Sequence, residues 1–216
     1  MYLTIHYVMA TLSLIFFSIV YIPQIRLNYD KKINNLSLHF ICMWLIADAL
    51  NGVVAFVTDA SIGAKLVPFF NTAFNTTLLV QKILYNKNVV NQYAFWLYIV
   101  GVGVYLVVVV LLVFFSAFAS IIVHITSWIA LLFFIMAPII QIFKHYSKQS
   151  VEGISFTTFV LLILANITFI TSVVFSDNNR MQSFLNNLPN ILKSIILIQS
   201  YLVVLIQFKL YKDTSS

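Results

Sequence analysis

Charged side chains are scarce in this chain of 216 residues. Asp, Glu, Lys and Arg together make up 8% of the sequence, whereas hydrophobic residues make up 62%. In a typical soluble domain about a quarter of the residues are charged, which keeps the surface in water. The composition therefore excludes a soluble globular domain and predicts an all-α integral membrane protein.

Patterns that carry chemistry are also missing from the sequence. The single cysteine, Cys42, cannot form a disulfide within the chain, and no cluster of cysteine and histidine has the spacing of a metal site. We also find no glycine-rich phosphate loop and no nucleophile beside a base. We therefore expect no metal, no cofactor and no enzymatic activity. The net charge of +6 does not predict nucleic-acid binding, because the positive charges fall in short turns between apolar runs.

The apolar runs predict seven transmembrane helices. A helix needs about 20 apolar residues to cross a bilayer. The charge-free stretch between Lys87 and Lys144 is too long for one span, so we place a turn at residues 116–120. The amino terminus lacks the basic region of a cleaved signal peptide, so the first run is expected to be a retained span. The predicted spans lie near residues 4–27, 38–57, 64–85, 93–115, 120–143, 155–175 and 185–208.

Basic residues collect on one side of these spans. The other side has only Lys65 and Arg180. Cytosolic loops are enriched in Lys and Arg, so we expect a cytosolic carboxyl terminus and a luminal or external amino terminus. The short loops fit a lysosomal or vacuolar membrane in a eukaryote, or the inner membrane of a bacterium. The basic side comprises Arg26, Lys31, Lys32, Lys82, Lys87, Lys144, Lys148, Lys209 and Lys212.

A short motif occurs twice. Pro23-Gln24 stands near the end of the first run and is followed by a basic turn and Leu36-Ser37; a weaker copy has Pro138, Gln141 and Ile154-Ser155. An offset of about 118 residues aligns Ser37 with Ser155 and Asp48 with Asn166. We therefore predict a duplicated three-helix unit in residues 1–88 and 119–216. A linker helix in residues 89–118 makes the arrangement 3+1+3, with parallel repeats.

These motifs, together with Trp44, Asp48 and Asn51, resemble the PQ-loop family of seven-helix membrane proteins. That family includes cystinosin and other lysosomal or vacuolar amino-acid exporters, and it is related to the SWEET sugar carriers. Residues 44–51 are most similar to its basic amino-acid transporter branch. The resemblance implies a transporter that moves a small polar solute by alternating access, with an amino acid, and a cationic one in particular, favoured. A SWEET-type sugar or vitamin carrier and a non-transporting PQ-loop receptor or scaffold stay open as alternatives.

The resemblance also implies that bends at the motif prolines let each three-helix unit rock between outward-open and inward-open states; prolines that only shape static packing are the alternative. Pro23 removes a backbone donor and allows the first span to bend, and Pro138 places the second hinge nearer the membrane midplane. We expect Gln24 and Gln141 to cap the carbonyls that these bends free. The two repeats can enclose a complete pathway, so a monomer suffices in the lipid bilayer.

Asp48 is the strongest candidate for a functional residue. A carboxylate near the middle of a span costs about 2.5–3.5 kcal/mol on insertion scales, so it must face a cavity, pair with a cation or be protonated. Trp44, Asp48 and Asn51 share one helix face, which predicts a wall of a substrate cavity with Asp48 binding substrate or relaying a proton. A structural carboxylate held by neighbouring helices is the alternative. Further candidates for substrate contact are Asn71, Asn75 and Asn166.

Lys193 is unusual because it lies inside the seventh predicted span. It shares a polar stripe with Asn186, Asn190, Ser200 and Gln207, which predicts an inward orientation. We hypothesise that Lys193 pairs with Asp48 in the empty site and is displaced by substrate or by a proton. Snorkelling of the lysine to the membrane surface is the alternative.

Overall fold

The computed structural model describes residues 2–57, 62–85, 119–176 and 188–212, together with isolated residues between 100 and 111. Within these ranges the regular elements are all α-helices, as predicted. They are α1 (Tyr2–Ile19), α2 (Ile22–Lys31), α3 (Leu38–Val57), α4 (Ile62–Tyr85), α5 (Ala119–Lys148), α6 (Phe156–Val174) and α7 (Leu188–Lys212).

Five stretches of the described chain are long and apolar enough to cross a membrane. They are Tyr2–Lys31, Leu38–Val57, Ile121–Lys148, Phe156–Val174 and Leu188–Tyr211. These stretches confirm a multi-pass membrane protein. Helix α4 forms at the third predicted span but is not among the five, because Asn71, Asn75, Gln81 and Lys82 lower its apolar content. The predicted linker helix at 93–115 and the turn at 116–120 fall largely outside the described residues.

The first span is broken at its proline motif. Helix α1 ends at Ile19, and α2 begins at Ile22 with Pro23 in its first turn. Proline lacks the backbone donor that a continuous helix needs and clashes with the preceding turn, which accounts for the break. In the second copy, by contrast, α5 runs from Ala119 to Lys148 with Pro138 inside it. The two copies of the motif therefore differ in backbone shape.

The helices pack so that each half of the chain contacts the other along two lines. Helix α1 packs along α6, and α3 packs along α5. Within the first half α4 contacts both α1 and α3, and within the second half α7 contacts both α5 and α6. Because helices of the two halves pack on each other, the aromatic core lies where the halves meet. It includes Phe40, Trp44, Phe134, Phe159 and Tyr201.

The carboxyl ends of α2, α4, α5 and α7 lie at one end of the bundle. Asn28 on α2 is 2.9 Å from Gln81 on α4, and His145 on α5 is 3.0 Å from Gln207 on α7. The two halves meet at this end, where Lys144 on α5 donates to the Asn35 carbonyl just after α2. Equivalent helices of the two halves therefore run in the same direction. We call this end the basic end; it carries Lys31, Lys32, Lys82, Lys144, Lys148 and Lys209.

Candidate functional site

Asp48 is buried between α3 and α4, with 2% of its surface exposed. Its two carboxylate oxygens accept hydrogen bonds from the Nδ2 groups of Asn71, at 3.3 Å, and Asn75, at 2.9 Å. The two asparagines are four residues apart and so lie on one face of α4. Three predicted site residues are thereby brought together.

An aromatic wall covers the site one helical turn from Asp48. The indole of Trp44 stacks on Phe40 with ring centroids 5.4 Å apart. It also meets the edges of Tyr21 at 5.7 Å and Phe134 at 5.8 Å, and lies 6.3 Å from Tyr201. Residues from α3, α5, α7 and the break between α1 and α2 therefore form one wall, which sequence reasoning had predicted only at Trp44.

Buried polar atoms near Asp48 include several without a hydrogen-bond partner. The hydroxyls of Tyr21 and Tyr201 are close enough to Asp48 for electrostatic interaction. The Tyr21 hydroxyl also lies near the Asn75 amide, but without the geometry of a hydrogen bond. Most buried polar groups in proteins are satisfied, so this concentration is unusual. The unpartnered atoms of the described site are Tyr21 Oη, Trp44 Nε1, Asn71 Oδ1, Asn75 Oδ1 and Tyr201 Oη.

Lys193 points toward the aromatic wall. Its Nζ lies 4.7 Å from the centroid of the Phe134 ring and donates to Asn190 Oδ1 at 3.3 Å. It is within electrostatic range of Asp48. However, an ion pair within 4.0 Å joins the described residues Arg26 and Asp30, whereas none joins Lys193 to Asp48. Lys193 therefore faces inward, as predicted, but does not form a direct pair with Asp48 in this structure.

Two other candidates do not join Asp48. Asn166 donates to the Leu162 carbonyl of its own helix at 2.7 Å. Its Oδ1 is buried without a partner. Asn51 is half-buried, and within the described residues no hydrogen bond links it to Asp48. Helical spacing predicts that Asn51 and Asp48 lie on the same face of α3, but it does not bring their side chains into a hydrogen bond.

The motif glutamines bind the two halves to each other. Gln24 Oε1 accepts from the backbone N–H of Ser155 at 2.7 Å, and Gln141 Oε1 accepts from the backbone N–H of Ser37 at 2.6 Å. Ser155 is the N-cap of α6, and Ser37 immediately precedes α3. The prediction that each glutamine caps carbonyls at its own bend was wrong: each oxygen satisfies an amide that the opposite half leaves free at the start of a helix.

Matching chains of hydrogen bonds extend from these glutamines. In the first half Gln24 donates to Asn28 at 2.7 Å, Asn28 donates to Gln81 at 2.9 Å, and Gln81 donates to the Ile25 carbonyl at 3.1 Å.

The second half repeats this chain with one replacement. Gln141 contacts His145 at 2.6 Å, His145 contacts Gln207 at 3.0 Å, and Gln207 donates to the Ile142 carbonyl at 3.1 Å. Histidine thus replaces the asparagine of the first half. We call the two chains and their serines the clasp: Gln24, Asn28, Gln81 and Ser155, with Gln141, His145, Gln207 and Ser37.

Sequence reasoning missed Asn28, Gln81 and His145 and the bonds that join the clasp, although a signal for two of these residues was present. An offset of 117 residues aligns Gln24 with Gln141 and Asn28 with His145. Within each half the glutamine and the residue that bonds to it are four positions apart, so their two side chains lie on one helix face. The alignment predicts equivalent positions, but not which helices they join.

The fold is that of a membrane protein built from two interlocking halves, and it is similar to a solved structure. A solved structure of a eukaryotic SWEET transporter superposes with a TM-score of 0.66 and 15% sequence identity, over 98% of this chain and 99% of that chain. At this identity the likeness shows the fold alone.

The sequence itself identifies the family. Residues 5–63 and 122–182 match the family model described as the PQ loop repeat. The chain therefore belongs to the PQ-loop repeat family, a family of membrane transporters and not of enzymes. A stretch of 75 residues is 39% identical to the vacuolar arginine/histidine antiporter YPQ2 of Saccharomyces cerevisiae. That match covers 32% of this chain and only 24% of the yeast protein.

Proposed function

We propose that this protein moves an amino acid across its membrane by alternating access, with proton coupling through Asp48. The observation that carries the proposal is the buried carboxylate of Asp48, held by Asn71 and Asn75 beside an aromatic wall. Ionisable residues inside membrane helices mark substrate or proton pathways, because a charge there is costly unless it has a function.

The unpartnered atoms, together with the Asp48 carboxylate and the Lys193 ammonium, have the chemistry to bind both ends of an amino acid. The Asp48 carboxylate and the free oxygens of Asn71 and Asn75 accept hydrogen bonds from an ammonium group. The Trp44 N–H and the Lys193 ammonium are donors for a carboxylate. We therefore expect the substrate to span from Asp48 toward Lys193.

The similarity to the yeast arginine/histidine antiporter and the sequence around Asp48 both favour a cationic amino acid as the substrate. Lys193 opposes a second positive charge at the site. We propose that its ammonium exchanges between the Phe134 ring and Asp48 during the cycle and so acts as a tethered cation that substrate or a proton displaces. Asn51 and Asn166 complete the proposed lining of the pathway.

The basic end is expected to face the cytosol, because cytosolic loops are enriched in Lys and Arg. The amino terminus then faces the lumen or exterior, and a vacuolar or lysosomal membrane is the expected location in a eukaryote. We propose the 3+1+3 arrangement, with repeats in residues 1–88 and 119–216 and a linker helix in residues 89–118. The rocking of one repeat against the other is then the transport step, and one chain suffices.

Uptake into proteoliposomes tests this function. Purified protein is reconstituted, and accumulation of labelled arginine, histidine, leucine and glucose is measured with and without a pH gradient. We expect accumulation of arginine or histidine that requires the gradient and is lost in Asp48→Asn. Asp30→Asn is the matched control, because Asp30 is exposed and pairs with Arg26 at 3.9 Å.

Other outcomes would identify the alternatives. Glucose uptake in place of amino-acid uptake would mean a SWEET-type carrier. Uptake that persists in Asp48→Asn would make Asp48 structural. No uptake, together with thermal stabilisation by one of the solutes, would indicate a receptor, since a ligand that binds the folded state raises its melting temperature.

A further inference from the structure

His145 is the only member of the clasp whose side chain is a histidine; the other members are amides and hydroxyls, which do not gain or lose a proton at physiological pH. It lies in the interior at the basic end, 2% exposed, and is fully engaged: one ring nitrogen contacts Gln141 and the other contacts Gln207. It is remote in sequence from Asp48 and plays no part in the site described above. Its two contacts determine its protonation state in this conformation.

Backbone groups orient both glutamines. Gln141 uses its oxygen to accept from the Ser37 N–H, so its Nε2 group faces His145. Gln207 uses its Nε2 group to donate to the Ile142 carbonyl, so its oxygen faces His145. A backbone N–H can only donate and a carbonyl can only accept. His145 must therefore accept at Nε2 and donate at Nδ1, which is a neutral tautomer.

A protonated His145 is incompatible with this arrangement. Both ring nitrogens of the imidazolium are donors, so Nε2–H would face the Gln141 Nε2 donor at 2.6 Å. Rotating the Gln141 amide by half a turn relieves that clash but places its Nε2 donor against the Ser37 N–H. Protonation of His145 and the bond between Gln141 and Ser37 therefore exclude each other.

The surrounding positive charges also oppose protonation of His145. On its own helix His145 is flanked by Lys144, whose Nζ donates to the Asn35 carbonyl, and by the exposed Lys148. Among the neighbouring elements, α4 contributes Lys82, which donates to the Asn34 carbonyl, and α7 contributes the exposed Lys209, two residues after Gln207. Further titratable groups at this end lie on or next to the helices that end or begin there: the exposed His39 on α3, Glu152 in the turn before α6, Tyr146 on α5, Tyr211 on α7, and Arg26, Tyr29, Asp30, Lys31 and Lys32 on or just after α2. The nearby lysines disfavour a further positive charge while the clasp is closed.

We propose that His145 is a proton-binding residue of the transport cycle: a proton bound there releases Ser37 from Gln141 and so opens the clasp at the basic end. Linkage requires the reverse as well, so an open clasp binds the proton and closure expels it. A histidine exposed to water titrates near pH 6.5, so protons are expected to favour the open clasp increasingly as the pH falls below that value. The consequence for transport rests on the proposed function, whereas the coupling between proton and clasp does not.

The first half supplies the matched variant. Asn28 stands at the equivalent position and bridges two glutamines with no titratable group. His145→Asn is therefore expected to retain the clasp and lose the proton site. Asn28→His creates a second proton site, beside the bond between Gln24 and Ser155.

Hydrogen–deuterium exchange of the protein in nanodiscs without solute tests the proposal directly. The readout is protection of the peptides containing the Ser37 and Ser155 amides at pH 5.5 and pH 7.5, corrected for the intrinsic pH dependence of exchange. In the wild type we expect Ser37 to exchange roughly tenfold faster at pH 5.5, within the usual range of allosteric couplings. In His145→Asn the corrected rate should be the same at both pH values.

Each result decides for or against the proposal. The same pH dependence in wild type and His145→Asn, or none in either, would overturn it. If His145→Asn does not fold, Asn28→His takes its place: a new pH dependence at Ser155 supports the mechanism, and its absence contradicts it. Because no solute is present, these outcomes stand whether or not amino-acid uptake is found.

Discussion

The side-chain oxygen of Gln24 lies 2.7 Å from the backbone nitrogen of Ser155, a residue 131 positions further along the chain. Gln141 makes the equivalent bond to Ser37 across a separation of 104 residues. The glutamine of each motif thus closes the start of a helix in the other half. The motif is therefore a bond between repeats as well as a point where a helix can bend.

We expect Gln24→Leu to destabilise the protein. The substitution leaves the buried Ser155 N–H, the Asn28 oxygen and the Gly153 carbonyl without their partner. One unsatisfied buried group costs about 1–3 kcal/mol, so the melting temperature in detergent should fall clearly. Gln199→Leu is the control, because Gln199 is exposed on α7. Equal melting temperatures for the two variants would contradict a stabilising clasp.

Gly153→Ala is expected to cost about 1–2 kcal/mol. Gly153 has a φ of +71°, a left-handed conformation that an L side chain adopts at that cost. An added Cβ would also lie 3.2 Å from the Asn35 Cβ, and Asn35 is held by its bond to the Glu152 carbonyl. The measurement is thermal or denaturant unfolding beside Gly103→Ala, where an added Cβ meets nothing within 4 Å. A loss of stability no larger than that of Gly103→Ala would mean that the turn at Gly153 accommodates the added Cβ without strain.

Asp48 and Asn75 should act as one unit in a double-mutant cycle. Their side chains share a buried hydrogen bond of 2.9 Å. Contacting residues show interaction energies of about 0.5–3 kcal/mol, and we expect a value in that range for Asp48→Asn combined with Asn75→Ala. The parallel cycle of Asp48→Asn with Asn166→Ala should be additive, because the Asn166 amide bonds to its own helix. Additivity in both cycles would refute the observed pairing.

Lys193→Gln is expected to shift substrate preference toward cationic amino acids. The variant removes the ammonium that lies over Phe134 within electrostatic range of Asp48, and with it the repulsion of a cationic side chain. Competition of unlabelled arginine and leucine against uptake measures the shift. Lys209→Gln, at an exposed position on the same helix, controls for the change of charge. An unchanged preference and pH dependence would rule out the tethered cation.

The sequence predicts many residues of the site one by one, but it does not predict how they are arranged in space. Asp48 stands out because a carboxylate within an apolar run has to be compensated, and Asn71 and Asn75 stand out because they share a helix face. That the two faces meet depends on the packing of α3 against α4, where Gly52 lies close to Pro68. Tyr21 and Tyr201 could not be predicted, because tyrosine in an apolar run does not differ from ordinary core or interfacial residues.

The sequence by itself determined the class of protein, the five apolar spans and the two copies of the motif. Those depend on composition and on spacing along the chain, since about 20 apolar residues must form a helix to satisfy their backbone in lipid. Only the tertiary structure decided that Gln24 binds Ser155, that His145 replaces Asn28 in a chain of amides, and that Lys193 lies on Phe134 instead of Asp48. Hydrogen bonds act over about 3 Å, and which groups come that close depends on how helices a hundred residues apart pack together.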